Sequence, residues 1–557
     1  ELSLACDYRV AANDGSTSLG LPEVQLGIHP GFGGTVRSIR VMGVLPAMNM
    51  MLTGKPLRAK AALKTGLVDK LAKPAELKNA AVRIALNAPS PTRAPILQKL
   101  ASLPGVRSIV AGQLRKQVAG KAKKEHYPAP YAIIDLWEKH WGADAEMYLA
   151  EAKSIAHLMN GETARNLVRV FLLQDKLKGL GNKKDLNLKH VHVVGAGVMG
   201  GDIAAWCALR GFNVTLQDRE MKYIEPAIKR AHKLFEKKLK KEPAIQDAKD
   251  RFTPDVDAKG VAKADIVIEA IFENTEAKQK LYAELEPKMK KGAVLATNTS
   301  SIKLEDLGKT LSDPNRLVGV HFFNPVAKMP LVEVVKSDST DAKVVDKALA
   351  FTRHIGKLGV PVKSAPGFLV NRILMPYMME AVRIAEDGVA FEAIDKAATN
   401  FGMPMGPVEL ADTVGLDVGL SVGQILAQEL GGEVPTKLQE KVDAKKLGRK
   451  SGEGFYVWED GKAQKDKDLA RNIPDDAQDR LILPMLNTAV ACLREGVVDN
   501  KDLLDAGVIF GTGFAPFRGG PAKYIETRGP AKVKARLEEL AAKYGERFTP
   551  DAGWDKF

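Results

Sequence analysis

A histidine and a glutamate stand out because each interrupts an apolar run rich in β-branched residues. His321 lies in the segment VGVHFF just before a predicted turn, and Glu333 lies in LVEVV twelve residues later (333 − 321 = 12). Taken alone, such a histidine is more often a satisfied core residue, and a lone buried carboxylate is costly. Together they suit one chemistry, because a carboxylate that faces an imidazole orients the ring and stabilises its charged form. The pair therefore predicts a general base that accepts the proton of an alcohol during its oxidation.

A glycine-rich run predicts a dinucleotide site. Gly195, Gly197 and Gly200 of GAGVMG lie between a predicted strand, 191–194, and an apolar helical run. The first glycine permits a tight turn, the second lets the backbone approach a pyrophosphate, and the third allows the helix to pack closely on the strand. A second strand ends at Asp218, 23 residues beyond the first glycine (218 − 195 = 23). An acid there accepts from a ribose 2′-hydroxyl and repels a 2′-phosphate, which favours NAD over NADP; FAD uses the same fingerprint but suits the predicted base less well.

Two more predicted strands lead to further polar side chains. Residues 264–271 lead to Glu273 and Lys278, and residues 292–297 lead to Ser300. Since ligands of an open parallel sheet lie outside the carboxyl ends of its strands, Ser300 is predicted to meet the cofactor or the substrate. Capping of a helix is the alternative role for Ser300, and the two roles are compatible.

The order of these patterns divides the chain into five predicted parts. Strand and helix patterns alternate over 1–85 and again over 188–365, which is typical of α/β layers and, in the second case, of a parallel sheet built from βαβ units. Residues 86–187 are predicted as a helical extension and linker. Residues 366–470 and 471–557 are predicted as two all-helical units, so the expected fold class is α/β and α.

The two helical units show a weak internal repeat. The segment 371–388 resembles 479–496 at an offset of 108 residues (496 − 388 = 108), so two similar units are expected to pack on each other. Asn371 of the first copy corresponds to Asp479 of the second. Any chemistry at that amide is therefore expected in the first copy alone.

Composition excludes several classes of protein. Of 557 residues, 45% are hydrophobic and 27% charged, which argues against global disorder, a collagen and a membrane bundle. No apolar run reaches the roughly 18 residues that span a bilayer, so no transmembrane segment is predicted. The three cysteines lie far apart without metal-ligand spacing, which predicts neither disulfides nor a zinc site in a soluble intracellular protein. The net charge of +14 suits a polyanionic ligand; the densest lysine run, 229–241, reads as a solvated helix face, so nucleic acid is not expected.

From about residue 187 to the end, the sequence resembles the L-3-hydroxyacyl-CoA dehydrogenase family. The similarity rests on six ordered features, which are GAGVMG at 195–200, Asp218, NTSS at 298–301, HFFNP at 321–325, LVEVV at 331–335 and PGFLVNR at 366–372. It implies oxidation of a (3S)-3-hydroxyacyl-CoA to the 3-ketoacyl-CoA with NAD.

The same resemblance assigns roles to individual residues. His321 is expected to be the base and Glu333 its partner, while Ser300 and Asn371 are expected to bind the oxygen atoms of the substrate. The expected cofactor contacts are Gly195, Gly197, Met199, Gly200, Asp218, Ile271, Phe272, Glu273, Lys278, Ser300 and Asn324.

The amino-terminal part resembles the second half of the crotonase, or enoyl-CoA hydratase, family, through ELSLACDYRVA and GLPEVQLGIHPGFGG. Glu1 and Glu23 match the two catalytic glutamates of that family, and Gly31, Gly33 and Gly34 match its glycine-rich turn. Hydration of a conjugated thioester needs one carboxylate to activate water and another acid to supply a proton at the α-carbon.

Two departures accompany this resemblance. The separation of the glutamates (23 − 1 = 22) is slightly longer than is usual, with the extra length expected in the turn 13–16. The first residue is Glu1 rather than Met, and an apolar run follows it directly. The sequence is therefore expected to begin inside a domain. The oxyanion hole of the family would lie upstream, so hydration is expected of a full-length parent and not of this chain.

Taken together, the order of the parts resembles the α subunits of bacterial fatty-acid oxidation complexes and their mitochondrial trifunctional relatives. That resemblance implies successive hydration and oxidation in fatty acid β-oxidation, and a thiolase β subunit as partner in a hetero-oligomer. It implies a bacterial cytoplasmic location, with a mitochondrial one left open. Two other readings remain open, a catalytically silent scaffold that binds acyl-CoA or NAD, and an NAD enzyme for another hydroxy acid.

Overall fold

The computed structural model describes residues 1–95, 100–181 and 188–557. They divide into two units, Glu1–Phe171 and Leu172–Phe557, and each is described by itself. The predicted boundary after residue 187 falls at the end of a segment outside the described residues. The remaining divisions of the sequence into five parts stay predictions.

The first unit combines short strands with helices. Its strands are β1 (Val10–Ala12), β2 (Ser18–Leu19), β3 (Leu57–Arg58) and β4 (Lys70–Ala72), with β1 parallel to β4 and β2 antiparallel to β3. Its α-helices are Gly34–Met42, Val44–Thr53, Ala59–Lys64, Leu77–Asn87, Val106–Ala119, Ala129–His140, Asp144–Met159 and the first part of Glu162–Gly179. Short 3-10 helices are Leu2–Ala5, Glu23–Leu26 and Pro74–Glu76.

The hydrophobic core of this unit extends across the sequence boundary predicted at residue 85. Ile133 and Trp137, on the helix Ala129–His140, are fully buried in one cluster with Val36 and Ile39 of the helix Gly34–Met42. The reason is that the apolar stripe of each helix must be buried against another element. The helix Ala129–His140, which lies in the predicted helical extension and linker, 86–187, therefore contributes to the core of the first unit.

The second unit contains a sheet of eight strands. The strands are β5 (His190–Val194), β6 (Asn213–Gln217), β7 (Phe252–Pro254), β8 (Ile266–Glu269), β9 (Val294–Thr297), β10 (Leu317–Phe322), β11 (Leu331–Lys336) and β12 (Leu358–Lys363). Their order is β12-β11-β10-β9-β8-β5-β6-β7. From β7 to β10 every neighbouring pair is parallel, which confirms the predicted Rossmann-like layer; β11 is antiparallel to β10 and parallel to β12.

Helices cover this sheet, as the continuous burial of its inner strands requires. The α-helices of this part are Val198–Leu209, Met221–Lys238, Glu242–Asp250, Thr275–Leu285, Leu304–Leu307 and Ala342–His354. Its 3-10 helices are Val261–Lys263, Glu286–Lys288, Gly308–Thr310 and Pro314–Arg316.

The remainder of the second unit is mainly helical. Its α-helices are Val370–Glu386, Phe391–Phe401, Pro407–Val414, Leu416–Leu430, Thr436–Asp443, Ala477–Arg494, Lys501–Thr512, Pro521–Arg528 and Pro530–Tyr544. A short hairpin pairs β13 (Trp458–Glu459) with β14 (Lys462–Ala463). The 3-10 helices are Arg449–Ser451, Leu469–Arg471, Pro516–Arg518, Glu546–Phe548 and Ala552–Lys556.

The internal repeat of the sequence corresponds to a repeat in the structure. The helices Val370–Glu386 and Ala477–Arg494 pack against each other, and each contains one internal proline. In the first copy the Asp395 carboxylate accepts the amide hydrogen of Val408 (2.9 Å). In the second copy Asp505 accepts that of Ala522 (2.7 Å). Each aspartate thus caps a helix that begins with a Gly-Pro pair, so the two copies share their capping chemistry.

No single helix in the described residues has the length and apolar composition needed to cross a membrane. One bent pair, Pro407–Val414 and Leu416–Leu430, meets that criterion by length and composition only.

Candidate active site

The glycine-rich loop after β5 is sterically fixed. Gly195 has φ +100°, and a Cβ atom there would lie 2.6 Å from the Ala270 carbonyl oxygen. A Cβ atom at Gly200 would overlap the Gly195 carbonyl oxygen. At Gly197, the N-cap of the helix Val198–Leu209, no heavy atom within 4 Å would meet a Cβ. The start of this helix is thus open toward a ligand, as the binding of a pyrophosphate requires.

Asp218 lies at the end of β6, beside the same loop. Its Oδ2 accepts the amide hydrogen of Ala196 (2.8 Å), and its Oδ1 accepts that of Arg219 (2.7 Å). These bonds orient the carboxylate next to the glycine turn, where the ribose of a dinucleotide would lie. The residues present therefore fit NAD.

Glu273 organises the residues that follow β9. Its Oε1 accepts hydrogen bonds from Thr299 Oγ1 (2.6 Å), from the amides of Ser300 (2.8 Å) and Ser301 (3.1 Å), and from both serine hydroxyls. Burial works against ionisation, but the Lys278 ammonium and these hydrogen bonds more than offset it and hold the pKa of Glu273 below its usual value. A charged Glu273 therefore fixes Ser300 at the carboxyl end of the strand.

Lys278 is buried behind Glu273 and is not exposed to a ligand. Its side chain is 1% exposed, and its Nζ donates to Glu269 Oε1 (2.6 Å) and lies 3.4 Å from Glu273 Oε2. Phe272, by contrast, is 71% exposed and open to a ligand, and the adjoining Ile271 is partly buried. An influence of Lys278 on the cofactor therefore passes through Glu273.

His321 and Glu333 are directly opposite each other in the antiparallel pair β10 and β11. His321 Nδ1 donates to Glu333 Oε2 at 2.6 Å; the side chain of Glu333 is fully buried and that of His321 is 6% exposed. Glu333 Oε1 accepts the amide hydrogens of Leu369 (3.0 Å) and Val370 (2.9 Å), at the start of the helix Val370–Glu386. Among the described residues, none forms a hydrogen bond with His321 Nε2. The ring is thus held by one nitrogen and available through the other.

Phe368 was not singled out from the sequence, although it lies in the motif PGFLVNR. It is fully buried with φ +51°, and its ring lies edge-on to that of His321 with centroids 5.7 Å apart. A bulky residue in the left-handed region costs on the order of 1–3 kcal/mol. This conformation immediately precedes the two amides that bind Glu333. The only signal in the sequence is the Pro-Gly pair before Phe368.

Asn371 and Ser300 come together across the site. Asn371 Nδ2 donates to the Ser300 carbonyl oxygen at 3.2 Å. Asn298 Oδ1 accepts the amide hydrogen of Phe322 (2.8 Å) and so links the ends of β9 and β10. Asn324 is exposed in the turn that follows β10. The predicted substrate-binding residues thus lie at the carboxyl edge of the sheet together with His321.

In the first unit, Glu1 binds the glycine-rich turn. Its Oε1 accepts the amide hydrogens of Phe32 (2.8 Å) and Gly34 (3.0 Å), and a Cβ atom at Gly34 would lie 2.6 Å from that oxygen. Glu23 Oε2 is buried without a hydrogen-bond partner in the described residues. Burial raises the pKa of Glu23, and the charge of Glu1 adds to this effect. The two predicted glutamates therefore interact.

Glu151 is a further carboxylate at this turn that the sequence did not reveal. It lies on the helix Asp144–Met159, is 1% exposed, and accepts the amide hydrogens of Gly33 (2.5 Å) and Thr35 (3.0 Å). Along the turn 32–35, successive amides thus donate alternately to Glu1 and to Glu151. One signal in the sequence could have indicated it. Glu151 lies four residues after Met147 and so falls on the apolar face of a predicted helix.

Comparison with known families agrees with this arrangement. Models of the 3-hydroxyacyl-CoA dehydrogenase NAD binding domain and C-terminal domain match residues 190–365 and 367–458, and an enoyl-CoA hydratase/isomerase model matches residues 1–100. Among solved structures, 3-hydroxybutyryl-CoA dehydrogenase from Escherichia coli K12 is 29% identical, with a TM-score of 0.59, and the match covers 67% of this chain and 98% of that one. The dehydrogenase part of multifunctional enzyme 1 from C. elegans is 26% identical, with a TM-score of 0.51, over 70% of this chain and 96% of that one.

Relatives along the whole chain include fatty acid oxidation complex α subunits. That of Shewanella amazonensis is 37% identical over 582 residues, which cover 99% of this chain and 82% of the relative. That of Vibrio cholerae is 37% identical over 580 residues, with the same coverage. With both sets of domains present in this order, the chain belongs to the family of fatty acid oxidation complex α subunits, in which an enoyl-CoA hydratase domain is fused to an NAD-dependent 3-hydroxyacyl-CoA dehydrogenase.

Proposed function

We propose that this chain oxidises (3S)-3-hydroxyacyl-CoA to 3-ketoacyl-CoA and that His321 is the catalytic base. The observation that carries this proposal is the 2.6 Å hydrogen bond from His321 Nδ1 to the buried Glu333. That bond places the available lone pair on Nε2, where it can accept the hydroxyl proton of the substrate. The Glu333 carboxylate then stabilises the imidazolium that forms.

The substrate is held from two sides in this proposal. Ser300 follows a strand of the sheet, and Asn371 lies in the first turn of the helix Val370–Glu386. The bond from Asn371 Nδ2 to the Ser300 carbonyl oxygen keeps them together. Their remaining polar groups bind the oxygen atoms of the substrate. This arrangement fixes the hydroxyl group against His321, since a base must lie within hydrogen-bond distance of the proton it accepts.

The cofactor is held along the carboxyl edge of the sheet. NAD, when bound, accepts the hydride from the carbon that carries the hydroxyl group. We assign the pyrophosphate to the loop of Gly195, Gly197, Met199 and Gly200, and the ribose to Asp218. The remaining proposed contacts are Ile271, Phe272, Glu273, Ser300 and Asn324. Lys278 acts as a positioning residue through its ion pair with Glu273.

For the hydratase domain we propose that Glu1 and Glu23 are the catalytic carboxylates. Burial and the charge of Glu1 raise the pKa of Glu23, a shift in the direction that suits a carboxylic acid that supplies a proton at the α-carbon. The Glu1 carboxylate, held by two amides of the glycine turn, then activates the water. The buried Glu23 Oε2, which has no hydrogen-bond partner among the described residues, supports this division of roles.

We also propose a partner and a location. The relatives are α subunits of a complex, and a thiolase β subunit that cleaves the 3-ketoacyl-CoA product fits the reaction sequence. The two relatives described above are bacterial, which favours a cytoplasmic enzyme. Co-purification of a thiolase activity with the chain from its native host tests the first of these points.

The test of the reaction is NADH formation by the purified chain. A medium-chain (3S)-3-hydroxyacyl-CoA is supplied with NAD, and the free hydroxy acid and the (3R)-thioester serve as controls. Absorbance of NADH is expected with the (3S)-thioester alone. Equal rates with the free acid would point to another hydroxy acid as substrate, and NAD binding without any NADH would favour a silent scaffold.

A further inference from the structure

The turn between β10 and β11 joins the strand of His321 to the strand of Glu333. The Pro325 carbonyl oxygen accepts the amide hydrogens of Lys328 (2.9 Å) and Met329 (3.0 Å), which closes the turn. The same turn carries the exposed Asn324. A residue that fixes the conformation of this turn therefore also fixes the position of Asn324, a proposed contact of the cofactor.

A buried lysine contacts the carbonyl oxygens of this turn. Lys357, the residue before β12, is 5% exposed, and its Nζ donates to the carbonyl oxygens of Val326 and Met329, the latter at 2.6 Å. The ammonium also lies 4.3 Å from the ring centroid of Trp206. Trp206 belongs to the helix Val198–Leu209, which begins at the glycine loop. One cation thus connects the helix of the dinucleotide site with the turn of Asn324.

Lys357 is a buried cation without a carboxylate partner among the described residues. In the described parts of the chain, no carboxylate lies within ion-pair distance of its Nζ. Burial, together with the positive charges of Arg210 and Lys238, lowers the pKa of Lys357 to about 8. A buried cation without a counter-ion is costly, and a methionine of similar length would avoid this cost. In exchange for this cost, the ammonium forms two hydrogen bonds to carbonyl oxygens and a cation–π contact with the Trp206 ring, none of which a methionine could form.

We propose that Lys357 is a positioning residue of the NAD site, whose ammonium fixes the turn 323–330 and thereby Asn324. This inference rests on the proposed oxidation with NAD and goes beyond it, because Lys357 contacts neither the fingerprint glycines nor the His321–Glu333 pair. Hydrogen bonds from a charged donor are stronger than those from a neutral one, and only the cation is attracted to the face of Trp206. The turn therefore loosens when Lys357 loses its proton.

Three variants separate this role from a general structural one. Lys357→Met removes the ammonium, Lys357→Arg keeps a permanent charge, and Lys328→Met removes an exposed lysine of the same turn as the matched control. The loss of charge-assisted bonds is expected to weaken NADH binding by about tenfold in Lys357→Met. NADH fluorescence measures this binding without turnover, and thermal unfolding verifies that each variant is folded.

Hydrogen exchange of the free protein gives a second readout. Amides of 323–330 are expected to exchange faster in Lys357→Met than in wild type, while those of the control Lys328→Met variant match wild type outside the substituted site. In assays, KM for NAD is expected to rise more than kcat falls. Wild-type affinity for NADH together with unchanged exchange in Lys357→Met would overturn the proposal.

A pH series on the wild type and on Lys357→Arg tests whether the charge of Lys357 is what matters. Its dissociation constant for NADH is expected to rise between pH 7 and pH 9, and that of Lys357→Arg to stay flat, because arginine keeps its charge. A wild-type constant that is independent of pH in this range would contradict the proposal. Absence of NADH formation from 3-hydroxyacyl-CoA, with these effects on NADH binding intact, would refute the reaction and leave the role of Lys357 standing.

Discussion

Glu333 binds His321 with one carboxylate oxygen and the first amides of a helix with the other. Oε2 lies 2.6 Å from His321 Nδ1, and Oε1 accepts from the Leu369 and Val370 amides. The helix that starts there carries Asn371. A single buried carboxylate thus sets the position of the proposed base and of a proposed substrate ligand relative to each other.

Glu333→Gln is expected to lower kcat by about a thousandfold or more, because the amide can donate to Nδ1 and so favour the wrong tautomer of His321. NADH binding is expected to change little, since Glu333 lies behind the imidazole. Steady-state rates and NADH fluorescence measure the two effects. Glu284→Gln, which alters an exposed glutamate of the same unit, is the control. A kcat within tenfold of wild type in Glu333→Gln would contradict this role.

Asp218→Ala is expected to relax the choice of cofactor. The carboxylate beside the glycine loop is proposed to bind the ribose hydroxyls of NAD and to repel the 2′-phosphate of NADP. We expect kcat/KM for NAD to fall by about tenfold and that for NADP to rise. Glu220→Gln removes a neighbouring acid and should leave both values unchanged. An unaltered ratio of NAD to NADP in Asp218→Ala would contradict the assignment.

The internal repeat supplies a third prediction. Asn371→Asp introduces the residue that the second copy already has at the corresponding position, Asp479. A carboxylate cannot donate to the Ser300 carbonyl oxygen and instead repels it, so kcat/KM for the thioester is expected to fall by about tenfold or more. In the second copy Asp479 is bound by Arg528 and Arg536, which shows that the two positions have different surroundings. Full activity of Asn371→Asp would place the substrate elsewhere.

Glu23→Gln is expected to stabilise the protein at alkaline pH. The pKa of Glu23 is raised in the folded state, so the ionised form is penalised and the wild type loses stability as pH rises from the unfolded-state pKa through the folded one. The glutamine variant lacks this loss. It should unfold at a higher temperature than wild type at pH 8, with a smaller difference at pH 4, whereas Glu76→Gln on the surface should show neither effect. A variant less stable than wild type at pH 8 would show that Glu23 is not strained by its surroundings.

The parts of the fold that could be predicted from the sequence are those set by patterns of neighbouring residues. The dinucleotide loop was predictable because its glycines lie next to one another in the sequence and each meets a steric demand of a strand, turn and helix. The pairing of His321 with Glu333 was predictable because a short hairpin brings the two strands together. Both cases depend on contacts between residues close in sequence.

Contacts between distant residues were not predictable in this way. Glu151 binds the amide of Gly33 across 118 positions, and nothing local to either residue indicates the other. Phe368 has a left-handed backbone directly before the two amides that donate to Glu333, and that contact joins residues 36 and 37 positions apart in the sequence. The helices of the predicted helical extension and linker, 86–187, could not be assigned to a core from the sequence, because an apolar stripe does not indicate which element it packs against.

The most direct test of the central claim is the rate of NADH formation by His321→Gln, measured beside its binding of NADH. Glutamine retains a polar side chain but cannot accept and hold the substrate proton at neutral pH, so turnover is expected to fall by about a thousandfold or more. NADH binding is expected to stay near wild type, and His157→Gln, on an exposed helix surface, should be fully active. An unchanged rate in His321→Gln would show that another group is the base and would contradict the mechanism.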